Sequence, residues 1–422
     1  MTHATRFRRP SPRDDRLPLA GLLALATAGF VTIMTEALPA GILPAMSADL
    51  GVSESAAGQS VMVYAVGSLL AAVPLTAATA TWPRRRLLLT AISGFALANT
   101  VTAVSSSYPL TMTARFLAGV VAGLLWALVA GYARRMVPAE RRGRATAVAM
   151  AGTPVALSIG VPAGTSLAGL VGWRSTFGIM TLLSLVLVVW VILAVPSFPG
   201  AVRESRLPLR KVPAIPGVAP VLTVTLTFVL AHNLLYTYIA PFLGPVGLAD
   251  RVDVVLLTFG VASLGSILAT GALVDRHLRR LMIAGCSLFA AAALLLGLLG
   301  DVPALVYVSA AIWGAGFGGA ATVLQTASAE AAGAAGAAGD VAQSLIVTCW
   351  NIGIAGGAAA GGVLLGTAGS GSLPWWALVL VAAAFLVTVT SRRHGFPNLA
   401  RRLARDQALS PAARPDEDVT PV

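Results

Sequence analysis

The chain has 422 residues, of which 57% are hydrophobic and only 11% charged, against about 25% charged in an ordinary soluble domain. That composition excludes a water-soluble globule and leaves a polytopic membrane protein, because a bilayer core about 30 Å thick needs roughly 20 apolar residues per helix. The formal net charge of +12 raises a nucleic-acid reading, which fails once the basic residues are placed along the chain.

Twelve apolar segments begin near Leu17, Ala57, Leu87, Pro109, Ala145, Ser175, Ala214, Val252, Leu281, Pro303, Val341 and Leu373. They predict an all-α integral membrane fold of twelve transmembrane helices. Residues 1–16 form a basic N-terminus. Together with the apolar run behind them they look like a signal peptide, but the run is too long and eleven further segments follow, so an uncleaved first helix is expected. Inside that helix stands Glu36, in TEALPAGILPAMSADL (Thr35 to Leu50). An ionised carboxylate at membrane depth costs several kcal/mol unless paired or neutralised, which marks it as a functional candidate.

Further along, Arg84 to Arg86 follow the second span and Arg134, Arg135, Arg141, Arg142 and Arg144 the fourth. Arg203, Arg206, Arg210 and Lys211 follow the sixth, Arg276, Arg279 and Arg280 the eighth, and six arginines from Arg392 onward the twelfth. All but three of the 29 basic residues therefore fall on one side: Arg174 and Arg251 lie in opposite loops, and Arg115 lies inside the fourth span. Excess Lys and Arg marks cytoplasmic loops. Both termini are accordingly expected in the cytoplasm, in a multi-pass protein of the cell membrane whose partners are the bilayer, not nucleic acid, and a monomer is expected.

The basic stretch after the sixth span divides the chain into an N-terminal half (17–195), a cytoplasmic linker (196–213), a C-terminal half (214–392) and a cytoplasmic tail (393–422). The halves repeat. TATWPRRRLL after the second span matches GALVDRHLRRLMI after the eighth, and Gly160, Gly164 and Gly169 match Gly353, Gly357 and Gly362. Six spans separate the copies, an even number, so the two six-helix halves are parallel and related by an axis along the membrane normal. Glycines at four-residue spacing also permit close helix packing, the competing reading of that repeat.

Arg115 and Glu36 fall at matching depth. If the first helix ends near Pro44, Glu36 lies about 12 Å from its end and Arg115 about 9 Å into the fourth at 1.5 Å per residue. Burial and a neighbouring guanidinium act in opposite directions on a carboxylate's proton affinity, which suits proton coupling; a permanent ion pair fixing two helices is the competing reading. His232, in VLAHNLLYTYIAPF, is a second proton-transfer candidate because imidazole titrates near pH 6.5, against a packing role. Asn233 and Tyr236 make that stretch a candidate cavity wall, and Trp126, Trp313 and Asn351 are further candidates for substrate contact, with interfacial anchoring the competing role for tryptophan. Cys286 and Cys349 both lie in spans and lack metal-ligand spacing, so no disulfide framework and no metal are expected. AEAAGAAGAAGD (Ala329 to Asp340) lacks the Lys-Ser/Thr of a phosphate-binding loop, and no cofactor is expected.

The motif GALVDRHLRR (Gly271 to Arg280) resembles the loop signature of the major facilitator superfamily, G-x-x-x-D-R-x-G-R-R, with Leu278 at the later glycine. The first-half copy keeps only its arginines. RFLAGVVAG (Arg115 to Gly123) resembles the family's fourth-helix arginine motif. AGTPVALSIGVPAG (Ala151 to Gly164), with Gly152, Gly160, Pro162 and Gly164, followed by GWRSTF, resembles its antiporter signature, and the first helix resembles the drug, sugar and nucleoside efflux branch. The resemblance covers essentially the whole chain. It implies a twelve-helix drug:proton antiporter, a secondary transporter and no enzyme, of the multidrug and chloramphenicol-resistance or sugar-efflux kind, with a small amphipathic molecule and protons as partners. It also implies a conformational latch: Asp275 and Arg276 against the start of helix five near Arg144, and Asp340 across the halves from Arg84 and Arg85. Capping of its own helix is the competing role for Asp340. Sugar or nucleoside export is the alternative transport reading. A polytopic enzyme would need acids, histidines or metal ligands converging at one membrane face, and the sequence has no such cluster.

The loop asymmetry fixes a measurable topology. In a background with Cys286 and Cys349 replaced, cysteines at Ser106 and Gly300 should react with an impermeant maleimide added to intact cells, and one at Ser205 should not; labelling at Ser205 would reverse the orientation.

Overall fold

A computed structural model describes residues 17–79, 81–138, 141–199, 217–331, 337–392 and 395–396. The expected linker falls largely outside the described residues, as do the termini and the side chains of Asp275 and Asp340. In the first half, α1 (Leu19–Leu50), α2 (Glu54–Ala78), α3 (Arg84–Val104) and α4 (Tyr108–Arg135) each make one crossing. The fifth span is assembled from α5 (Arg142–Met150), α6 (Gly152–Val155), a π-helical turn (Ala156–Gly160) and α7 (Val161–Val171), and α8 (Trp173–Ala194) completes the half. The second half comprises α9 (Val218–Tyr236) with the short α10 (Ile239–Leu243), α11 (Val252–Leu299), α12 (Pro303–Phe317), α13 (Ala320–Ala331), α14 (Ala337–Ala368) and α15 (Leu373–Thr390).

Eleven stretches among the described residues are long and apolar enough to cross a membrane. The twelfth span is α2, whose 25 residues reach about 37 Å at 1.5 Å per residue and carry a single charge, Glu54, in the first turn. Spans eight and nine, expected as separate helices, are two crossings, Ala249–Val274 and Arg276–Leu299, joined in α11 by a non-helical kink at His277 (φ −129°, ψ 26°). Span ten breaks at Gly318 and Gly319 between α12 and α13. The π turn in span five has a local cause. Pro162 has no backbone N–H to give the Ser158 carbonyl one turn back, and a π-bulge is one way a helix absorbs such an interruption.

The bundle has two chemically distinct ends. Arg84 to Arg86, Arg134, Arg135, Arg144, Arg276, Arg279 and Arg280 gather at one, the basic end; the other carries few charges. At that other end a polar hub ties three helices. Asp49 in the last turn of α1 accepts from Trp173 Nε1 at 3.0 Å and Arg174 Nε at 2.6 Å, while Arg174 Nη1 donates to the carbonyls of Ala103 and Ser105 at the end of α3. A cation at a helix C-terminus satisfies carbonyls that have no partner within the helix. The outward faces of α8 and α15 expose Leu182, Leu185, Val189, Leu193, Val379 and Leu386, a surface that suits acyl chains.

Within each half the helices meet along glycine seams. A Cβ on Gly119 of α4 would stand 1.9 Å from the Tyr64 carbonyl oxygen of α2, and one on Gly67 of α2 would stand 2.3 Å from that of Phe116. Gly152, Gly160 and Gly164 all face α1: a Cβ on Gly152 would meet the Ala26 carbonyl at 1.8 Å, and the other two would meet Met34, Phe30 or Leu38. The antiporter-like motif thus seats the fifth span on α1. Gly353 and Gly357 of α14 face Val229, Leu230 and Asn233 of α9 in the same manner, so two of the three repeated glycine pairs make equivalent contacts in the two halves, while in the third a Cβ on Gly169 meets nothing within 4 Å and one on Gly362 meets Gln59 and Tyr238. Small residues let membrane helices approach closely where no hydrophobic driving force draws them together.

At Gly119 and Gly152 the contact is backbone against backbone and cannot yield. Gly119→Ala and Gly152→Ala should each destabilise by about 1–3 kcal/mol, the usual range for overpacking, and lower the melting temperature in detergent. Gly131→Ala, where a Cβ meets nothing within 4 Å, should leave it unchanged or raise it.

Candidate functional site

Pro39 sits inside α1 and has no N–H, so the carbonyl of Thr35, four residues earlier, loses its helical partner. In a bilayer that vacancy must be filled by protein. Arg115 fills it. Its Nη1 donates to the Thr35 carbonyl and its Nη2 to that of Glu36 at 3.2 Å, and the guanidinium lies 5.0 Å from the Tyr64 ring, within cation–π range. Arg115 is fully buried. The α2–α4 glycine seam brings α4 close enough to α2 for Tyr64 to share this site, and Tyr64 Oη donates to the Thr32 carbonyl at 3.2 Å. Asn99 of α3 donates to Thr35 Oγ1 at 3.1 Å. Three helices therefore converge on one turn of α1.

The structure brings Glu36 and Arg115 together as their depths suggested, but in a different way. The guanidinium binds the backbone carbonyls, and the half-buried Glu36 carboxylate makes no ion pair with it. The carboxylate of Glu36 is thereby left to other partners. Trp126 packs on the same helix near Gly29, its ring 3.7 Å from a Cβ built there, and is half-buried.

The second half offers rings in place of charge. His232 stacks on Phe317 at 3.6 Å between centroids, with Tyr236 at 5.0 Å, Trp313 at 5.2 Å and Phe259 at 5.7 Å. Trp350 of α14 borders the cluster at 6.1 Å from Phe317. His232 Nδ1, Tyr236 Oη and Trp313 Nε1 are buried without hydrogen-bond partners, a costly state for polar atoms. Asn233 and Asn351 each donate to a carbonyl of their own helix, Val229 at 3.0 Å and Val347 at 2.9 Å. Among the described residues no group of His, Cys, Asp or Glu converges as metal ligands would.

The expected latch is divided. Arg85 Nη1 reaches the Val195 carbonyl at 3.5 Å and the Arg84 N–H that of Phe198 at 2.9 Å, while Arg144 and Arg276 are exposed. The carboxylates of Asp275 and Asp340, their intended partners, lie outside the described residues. Sequence reasoning passed over Tyr64, Asn99 and the Asp49–Arg174 hub; proline at position 39, four residues after Thr35, was the signal that a donor was needed.

The family model described as Major Facilitator Superfamily matches residues 25–345. A chloramphenicol resistance protein of Streptomyces lividans is 32% identical over 89% of this chain and 96% of its own length. A purine ribonucleoside efflux pump of Salmonella paratyphi B is 28% identical over 92% of this chain and 99% of its own. A crystal structure of a D-xylose–proton symporter, 15% identical, superposes with a TM-score of 0.74 over 90% of this chain and 98% of that one, a likeness of fold.

The assignment of Arg115 to an orphan carbonyl has a specific signature. Arg115→Ala should lower stability by about 1–3 kcal/mol, the cost of leaving a buried polar group unpaired. Pro39→Ala restores a backbone N–H to the Thr35 carbonyl, so the double variant should recover much of the loss. Additive melting-temperature changes in that cycle would assign Arg115 to the carboxylate instead.

Proposed function

Because this chain belongs to the major facilitator superfamily, we propose that it is a proton-coupled exporter that expels a small amphipathic compound, a drug or antibiotic, by alternating access. Membership makes it a multi-pass membrane transporter and not an enzyme. Direction, coupling ion and compound are our reading, which also places it as a monomer in the cytoplasmic membrane with both termini inside, following the basic loops.

The observation that supports proton coupling is Glu36: a half-buried carboxylate in the middle of a membrane helix whose neighbouring guanidinium is occupied by backbone carbonyls. An acid at that depth is an expensive feature unless it changes charge during the cycle. Open to the outside, Glu36 takes up a proton and releases the compound. Open to the cytoplasm, it gives up that proton and can hold the next molecule. Substrate and proton compete for one group. The chloramphenicol-resistance relative supports a drug as cargo. The nucleoside-pump relative, together with the ring cluster around His232, supports a nucleoside or sugar exporter as the second reading. In either case Trp126, His232, Tyr236 and Trp313 are the proposed cavity contacts, and Asp340 with Arg84 or Arg85, and Asp275 and Arg276 near Arg144, the proposed latch of the basic end.

Glu36→Gln keeps the shape and removes the charge change. It should insert and fold normally yet lose uphill accumulation of chloramphenicol or inosine, whichever the parent moves, in inverted vesicles with an imposed pH gradient. Uphill accumulation by the Gln variant would falsify the assignment and make His232 the next candidate.

A further inference from the structure

The chain leaves each half at the basic end, and there both halves fasten it. In the first half Val195, Pro196, Phe198 and Pro199 each give a carbonyl to the start of α3 or the end of α4. Arg85 Nη1 donates to Val195 at 3.5 Å, Tyr132 Oη to Pro196 at 2.6 Å, the Arg84 N–H to Phe198 at 2.9 Å and Arg135 Nη1 to Pro199 at 3.2 Å. The Phe198 ring stands edge-on to Tyr132, 5.4 Å between centroids. The prolines at 196 and 199 have no N–H to offer, so this stretch serves as a row of acceptors. In the second half Arg279 donates to the carbonyls of Thr388 at 2.7 Å and Val389 at 2.8 Å in the last turn of α15, where carbonyls lack helical partners and a cation is favoured. Arg85 and Arg279 each stand 110 residues before the valine carbonyl they reach. The repeated arginine thus makes the same clamp in both halves.

Beyond α15 the chain turns back on itself. The Phe396 N–H bonds to the Ser391 carbonyl at 3.2 Å, and the Phe396 ring, 0% exposed, joins the main apolar core. This turn lays Gly395 on the first residues of α9: a Cβ there would stand 3.2 Å from Pro220 Cβ and 3.3 Å from the Gly217 carbonyl oxygen. Gly217, which caps α9 in the left-handed region (φ 99°, ψ −22°), is where the chain re-enters the second half after the linker. We propose that Gly395 and Phe396 form a clasp on that point of entry, so that the C-terminal segment as far as Phe396 is a working part of the second half and fixes one end of the tether between the halves. The first N–H groups of a helix have no partner within it, and chain ends open easily unless something ties them down. Burial of the Phe396 ring ties down the start of α9, as the contact of Phe198 with Tyr132 ties down the other end of the tether. The tether is therefore held at Pro199 on one half and at Gly217 on the other. Withdrawal of Phe396 slackens the second attachment and leaves the first intact.

The test needs no substrate, because it reads hydrogen exchange in the full chain reconstituted in nanodiscs. Phe396→Ala should speed exchange of the amides at 218–224 by about fivefold or more, the mark of a local opening, and leave those at 84–90 unchanged. Phe198→Ala should do the reverse. A second arm, in a background with Cys286 and Cys349 replaced by Ala, pairs Pro220→Cys with Gly395→Cys, whose Cβ atoms would lie 3.2 Å apart, close to the separation of about 3.5–4.5 Å that a disulfide spans. Oxidation of that pair should keep exchange at 218–224 slow even with Phe396→Ala, and reduction should release it. Unchanged exchange at 218–224 in Phe396→Ala, or a bridge that fails to form or forms without restoring protection, overturns the clasp. Faster exchange across both halves overturns it too, since Phe396 would then be a core residue and nothing more. Should Phe396→Ala unfold, Phe396→Leu, which keeps an apolar side chain, must still speed exchange at 218–224 and not at 84–90.

Discussion

The first half is organised around one backbone carbonyl. Pro39 deprives Thr35 of its helical hydrogen bond, and in a bilayer there is no water to replace it. Arg115 therefore enters the middle of the membrane as a hydrogen-bond donor to α1, and everything around it follows from keeping a guanidinium there. It needs close neighbours, which the Gly67 and Gly119 seam supplies by bringing α2 and α4 into backbone contact. It needs a surface for its charge, which the Tyr64 ring offers. Asn99, reaching Thr35 from α3, adds a third helix to the same turn. Glu36 is the next residue along α1. Its height, its direction and its freedom from a permanent ion pair are consequences of where Arg115 has been committed.

That arrangement resolves a tension in the simple picture of a buried acid–base pair. A carboxylate locked to a guanidinium is a poor carrier, because the pair must be broken at every cycle and each lone partner is then a buried charge. When the guanidinium is held by carbonyls, its charge stays in place and acts as a fixed field. In the proposed cycle the carboxylate then exchanges proton and cargo without a rearrangement of helices α1 and α4.

The sequence made the architecture legible because its signals are periodic and repeated. Helix starts fell close to their expected positions, the basic loops alternated, and the glycines of the fifth span and α14 proved to be equivalent seats for α1 and α9. It was less informative where a role depends on backbone chemistry between helices. Nothing in RFLAGVVAG distinguishes an arginine that pairs with a side chain from one that serves a carbonyl; that required Pro39 to be read together with Thr35. Tyr238 lies within the quoted stretch of the seventh span, but its ring sits between α2 and α14 against Gly58 and Gly361, far apart in the chain, and no local pattern links them. The turn at His277 lay in plain view inside the charged stretch Asp275 to Arg280, whereas the break at Gly318 to Gly319 was hidden, since it does not interrupt the apolar pattern.

The two halves share a scaffold but divide their chemistry. The first holds its polar groups by backbone contacts to α1, a rigid arrangement suited to a fixed charge and an ionisable acid. The second surrounds His232 with Phe317, Trp313, Tyr236 and Phe259 and leaves three buried polar atoms unpaired. Rings rotate and slide at modest cost compared with glycine seams, and unpaired donors gain from any partner that enters. In the proposed cycle, a rigid charged half facing an adaptable aromatic half gives the transporter one side that senses protonation and another that accommodates cargo.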